Sequence, residues 1–111
     1  MNTRISLVGK TKKDGWECRQ WLIDINGESF NFFTGMGIKV APSIDDVLES
    51  LFLESDSSLE PFDWFCESLG YEQDSLKAFK TYLECIENRK KLKRALGSEY
   101  EKEKNRIQNR E

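Results

Sequence analysis

Trp21-Leu22-Ile23-Asp24-Ile25-Asn26-Gly27-Glu28-Ser29-Phe30-Asn31-Phe32 is the stretch whose reading decides the fold. Large apolar residues alternate with other residues on both sides of Asn26-Gly27, the period of a half-buried strand. Asn-Gly is the strongest short hairpin signal, because both central residues of a type I′ turn need positive φ. A two-residue loop there pairs Ile25 with Glu28, Ile23 with Phe30 and Trp21 with Phe32. The apolar partners then share one face of the sheet, so turn chemistry and hydrophobic pattern agree on the register.

Towards the N-terminus, Ile5 and Leu7 continue the alternation and Asp14-Gly15 offers a second turn. As a two-residue loop it pairs Leu7 with Leu22, on the opposite face from Trp21. A three-residue loop, Lys13-Asp14-Gly15, pairs Leu7 with Trp21 and Ile5 with Ile23. The second register builds one common apolar face and gives Gly15 the left-handed position of a turn followed by a bulge, so it is the one expected. Trp16, Cys18, Leu22 and Phe33 fall on the other face, which is mixed and reads as partly covered. Thr34-Gly35-Met36-Gly37 lacks the third glycine, the Lys-Ser/Thr pair and the following helix of a phosphate-binding loop, and reads as a strand-to-helix connection.

Beyond it the period changes to that of helices. Ser43 caps the first, with Asp46 completing a capping box and Ile44, Val47, Leu48 and Leu51 as its inner stripe. Asp45, Asp46 and Glu49 point outward, and Ser55 to Ser58 form a turn. Pro61 begins the second helix, where Phe62, Phe65, Cys66 and Leu69 face inward and Gly70 is the stop. Asp74 is the expected cap of the third and longest helix. Its buried stripe reads as Leu76, Phe79, Tyr82, Leu83, Ile86, Leu92 and Leu96, ending at Gly97. Ser98 and Glu101 form another capping box, so a further helix over residues 99–109 is expected, with only Tyr100 and Ile107 as apolar anchors. Such a helix frays or packs weakly without a partner. The fold class is therefore α+β, a three-stranded antiparallel meander followed by three helices, βββααα. Residues 1–97 form one domain and residues 98–111 a charged helical extension.

The chain of 111 residues has a net charge of only −3, which hides a strong segregation. Residues 1–39 carry six bases and four acids, and residues 77–111 carry eleven bases and six acids. Between them, from Val40 to Leu76, stand ten acids and no Lys or Arg: Asp45, Asp46, Glu49, Glu54, Asp56, Glu60, Asp63, Glu67, Glu72 and Asp74. That layout suits two kinds of surface. No apolar run approaches 18 residues and the N-terminus lacks a signal-peptide core, so a cytoplasmic location is expected. The three cysteines, Cys18, Cys66 and Cys85, have no metal-ligand spacing and there is no histidine, so neither a metal nor another cofactor is expected. Catalysis would need a base other than His, and a Cys nucleophile would lack its usual partner. A non-enzymatic protein is the expectation.

Several runs carry a family likeness: Phe32-Phe33-Thr34-Gly35-Met36-Gly37, Ala41-Pro42-Ser43 leading to Asp46-Val47-Leu48-Glu49-Ser50-Leu51, and Phe62-Asp63-Trp64-Phe65-Cys66-Glu67-Ser68-Leu69-Gly70-Tyr71. With Asp74-Ser75-Leu76-Lys77-Ala78 and the helix ending Lys91-Leu92-Lys93-Arg94-Ala95-Leu96-Gly97, they resemble a family of small phage and prophage accessory proteins. The family has Cys directly after Trp, where this chain inserts Phe65 before Cys66. The resemblance implies a phage origin and, from context, binding to host machinery such as a defence nuclease, in the manner of anti-CRISPR or anti-restriction proteins.

Two surfaces are candidates for a partner. The acidic one comprises Asp45, Asp46, Glu49, Glu60, Asp63, Trp64 and Glu67, whose carboxylates could imitate phosphate spacing on a host nucleic-acid-handling protein. Trp64 lies beside Asp63 and Glu67 in helical phase, either in a seam against the long helix or as an exposed aromatic anchor. The basic alternative comprises Arg89, Lys90, Lys91, Lys93 and Arg94, which would contact nucleic acid directly as part of a replication or recombination accessory.

Overall fold

Asn26 and Gly27 both take positive φ, 49° and 90°, so the central turn is type I′. Around it β2 (Trp16–Ile25) and β3 (Glu28–Gly35) pair antiparallel with Ile23 opposite Phe30 and Trp21 opposite Phe32, the expected register. The computed structural model describes residues 1–70, 72 and 75–110, apart from the side chain of Leu69. β1 (Thr3–Lys13) completes a sheet of order β1-β2-β3.

β1 meets β2 with Ile5 opposite Ile23 and Leu7 opposite Trp21, again as expected, but by a different device. Lys13 pairs with Trp16, so the loop has two residues, Asp14 and Gly15, with φ of 57° and 84°. The register then shifts between Leu7 and Gly9, and this bulge moves the earlier half of β1 back onto the apolar face. Gly9 has φ of 149°, a conformation that would strain any side-chain-bearing residue. The turn and the bulge together achieve what a three-residue loop alone was expected to do. On the second face Cys18 is buried and Phe33 is half-buried, with the Lys13 ammonium 4.1 Å from its ring centroid; Trp16 and Leu22 are exposed.

Four α-helices follow among the described residues: α1 (Ile44–Ser57), α2 (Phe62–Leu69), α3 (Leu76–Leu96) and, after a 3-10 turn at Gly97–Glu99, α4 (Tyr100–Gln108). Ser43 caps α1 by accepting from the Asp46 N–H at 3.1 Å. α1 runs through Ser55, Asp56 and Ser57, which were expected to turn. Ser55 is buried there, and its carbonyl accepts the Ser58 hydroxyl at 2.8 Å. α2 ends at Gly70 in the left-handed conformation. Ser75 caps α3 by accepting from Ala78 N–H at 3.3 Å; Asp74, the expected cap, lies outside the described residues, as does the Leu69 side chain. Ser98 falls within the 3-10 turn, and α4 starts without a side-chain cap.

The core joins Trp21, Ile23, Ile25 and Phe30 of the sheet to Val47, Leu48, Leu51 and Phe52 of α1 and to Leu92, Ala95 and Leu96 of α3. Phe32 packs against it, partly buried. Tyr100 and Ile107, the anchors of the charged C-terminal segment, belong to the same core, and Tyr100 meets the Phe52 ring edge-on at 5.4 Å. That segment therefore folds back onto α1, and its helix is held within this chain. The Asn26 side chain donates to the Ala95 carbonyl at 2.7 Å, tying the hairpin turn to the C-terminal end of α3, where carbonyls lack helical partners.

The buried side of α3 differs from expectation. Ala78, Cys85, Leu92, Ala95 and Leu96 face inward, whereas Leu76, Phe79 and Leu83 are exposed. α1 packs against α3, and in such a close-packed contact small residues such as Ala78 and Cys85 let the elements approach. Phe65, expected in the main core, is fully buried in a separate cluster in which its ring lies 4.9 Å from Tyr82, while Phe62 lies 5.6 Å from Phe79. No helix among the described residues is long and apolar enough to cross a membrane.

Candidate partner-binding surface

The acidic stretch divides into two faces with different surroundings. On α1, Asp45, Asp46 and Glu49 meet one cation of α4, Arg106, and one just beyond it, Arg110. Arg106 forms a fork on Asp45, with Nη1 and Nη2 donating to its two oxygens at 3.2 and 2.9 Å. Arg110 donates to Glu49 and stands 3.6 Å from Asp46. About two helical turns beyond Glu49, Lys104 pairs with Asp56 at 2.6 Å. The Arg106 guanidinium holds the Asp45 carboxyl below the usual carboxylate range. The spacing is matched: Asp45 and Glu49 are four apart along one face of α1, and Arg106 on α4 and Arg110 just past its end are four apart as well. The signal was present in the sequence, but nothing local indicated that the two helices would meet.

On α2, Asp63, Trp64 and Glu67 point away from Phe65 and Cys66, which are fully buried. Trp64 is 63% exposed, which sets aside the seam position and leaves an indole in solvent between carboxylates. Glu60, just before the helix, is exposed as well; its backbone carbonyl accepts the Tyr82 hydroxyl at 2.9 Å, fixing the start of α2 against α3. Among the described residues, no ion pair involves Glu60, Asp63 or Glu67.

The basic cluster is spread around α3 and used within the molecule. Arg89 donates to the Ser58 hydroxyl at 3.1 Å, and Lys91 to the Ser29 carbonyl at 3.0 Å. Lys93 lies 5.5 Å from the Tyr100 ring centroid, and Arg94 donates to Glu28 at 3.0 Å. These four cations fasten α3 to the α1 terminus, β3 and α4, and of this cluster only Lys90 stands outside such contacts among the described residues. They do not present one continuous charged strip.

A cleft of about 380 Å³, which the sequence did not indicate, opens between the β1–β2 turn, α1 and α3; it is lined by Lys13, Asp14, Glu54, Thr81, Glu84 and Cys85 among others. Lys77 bonds Asp14 at 2.5 Å and lowers its pKa. Burial raises the pKa of Glu54 and pushes the Cys85 thiol up to about 12, so this thiol stays protonated at neutral pH and is a poor nucleophile. Among the described residues, no three of His, Cys, Asp and Glu gather as a metal ion would need. Comparison with protein-family models, curated proteins and solved structures finds no match to this chain.

Proposed function

We propose that this protein acts without catalysis, by binding a basic surface of another protein through the outer face of α2. The observation that carries the reading is Trp64, 63% exposed on a helix whose neighbouring carboxylates have no cationic partner among the described residues. Tryptophan contributes a large rigid apolar area and one N–H donor, which is why it is enriched at binding hot spots. Asp63 and Glu67 lie one helical turn apart, with Glu60 just ahead of them, and their field speeds encounter with a cationic partner. A groove that neutralises phosphates is such a surface, so the partner class is a nucleic-acid-handling protein and the effect is inhibition by competition with its DNA or RNA. On the phage likeness of the sequence, that protein belongs to the host and serves replication or defence.

The experiment starts from a partner that co-purifies stoichiometrically and compares its association with the native chain and with the triple variant Glu60→Lys, Asp63→Lys, Glu67→Lys. Slower association and a flatter salt dependence are expected, and Trp64→Ala should speed dissociation. Unchanged rates and salt dependence in both variants would remove α2 from the interface. If the native chain instead binds DNA with an affinity that falls steeply with salt, the basic residues of α3 become the functional ones.

A further inference from the structure

We infer that α3 carries a second interaction surface, for another copy of this chain. Leu76, Phe79, Leu83 and Ile86 follow one another at spacings of three, four and three, the a/d rhythm of a helix that packs against a helix. Inside the molecule α3 turns Ala78, Cys85 and Leu92 to the core, so this stripe lies outside. Leu76, Phe79 and Leu83 are 68%, 46% and 48% exposed, and Ile86 is half-buried. Large side chains repeated along one side of a helix form a seam, unlike the scattered exposed apolar residues of an ordinary surface. The Phe62 ring against Phe79 extends its apolar rim towards α2.

The charges beside the stripe choose the occupant and its direction. Lys80 and Glu87 are both exposed and lie equally far from the point between Leu83 and Glu84. An antiparallel pairing about a two-fold axis through that point sets Lys80 of each copy opposite Glu87 of the other, twice. A parallel pairing would put the two copies of each on opposite sides of the seam, Lys80 facing Ser75 and Glu87 facing Tyr82, so neither would meet an opposite charge. Glu87 also stands 3.9 Å from Arg94, but that guanidinium is already bound by Glu28 at 3.0 Å, which leaves the Glu87 carboxylate able to turn outward. Lys90 ends the stripe, where its methylene stem covers apolar surface of the other copy while its ammonium reaches water. Lys77 sits to one side, paired with Asp14. The stripe is short compared with the roughly 800 Å² per partner of a standard interface, so the dimer forms reversibly as concentration rises.

Sedimentation equilibrium of the full chain, from about 1 µM to about 1 mM, tests this across the affinity range expected of a small interface. The mass should climb from 13.0 kDa towards twice that value. Lys80→Glu alone and Glu87→Lys alone should each weaken the dimer by about tenfold, since each change turns two attractions into repulsions. The double variant Lys80→Glu, Glu87→Lys should restore it, and Leu83→Lys should abolish it. All three substitutions fall on exposed positions, and circular dichroism checks that each of the four variants is folded. A constant mass of 13.0 kDa overturns the proposal, as does a dimer indifferent to Leu83→Lys or a double swap that fails to restore association.

Discussion

α1 and α2 come from the same acid-rich stretch and meet opposite fates. The carboxylates of α1 are bound by Arg106 of α4 and by Arg110 just beyond it, whereas those of α2 face solvent around Trp64. On α1 the charges hold a terminal helix in place; on α2 they have nothing to hold within the described residues. Sequence composition treats the two faces as one surface. The structure separates a face that serves folding from a face that remains for a partner, and the difference arises from where the chain's last helix lands.

The largest effect is expected at Phe65, which anchors α2 and is fully buried against Tyr82. Phe65→Ala should lose about 3–5 kcal/mol in urea unfolding. A near-neutral result would mean that α2 is held by other contacts. Ile107→Ala attacks the other side, removing one of the two apolar anchors of α4. It should cost about 2 kcal/mol, at the lower end for such a truncation because a chain-terminal helix can settle into the gap. Hydrogen exchange should then rise in α4 before α2; equal protection of both helices would show that α4 does not depend on this anchor.

A subtler probe is acid. The Arg106 hydrogen bond depresses the pKa of Asp45 in the folded protein below its unfolded value of about 3.9. A depressed folded value contributes stability above the unfolded pKa, and that contribution is lost as pH falls through the folded one. Protection of α4 should therefore decline below about pH 4, while Asp45→Asn should start lower at neutral pH and show less of this decline. The smallest effect belongs to α2: Asp63→Lys with Glu67→Lys should move stability by no more than about 0.5 kcal/mol, as for unpaired surface positions. A loss comparable to that of Asp45→Lys would erase the distinction between the two faces.

The sequence by itself determined the β2–β3 register, the starts of α1 and α2 and the stops at Gly70 and Gly97, but not the turn and bulge between β1 and β2. Those choices rest on local chemistry: positive φ at Asn26 and Gly27, the Ser43 hydroxyl on an orphan N–H, and alternation along β2 and β3. It also placed Trp64 with Asp63 and Glu67, since helical phase is fixed within two turns. Only the tertiary structure decided which side of α3 is buried. Hydrophobicity favours Leu76, Phe79 and Leu83, but close approach of elements selects Ala78, Cys85 and Ala95, and that distance is not written in α3 itself. The same holds for the acidic face of α1. Arg106 and Asp45 stand 61 positions apart, and a charge pair across that interval exists only once several packed elements have set two helices side by side.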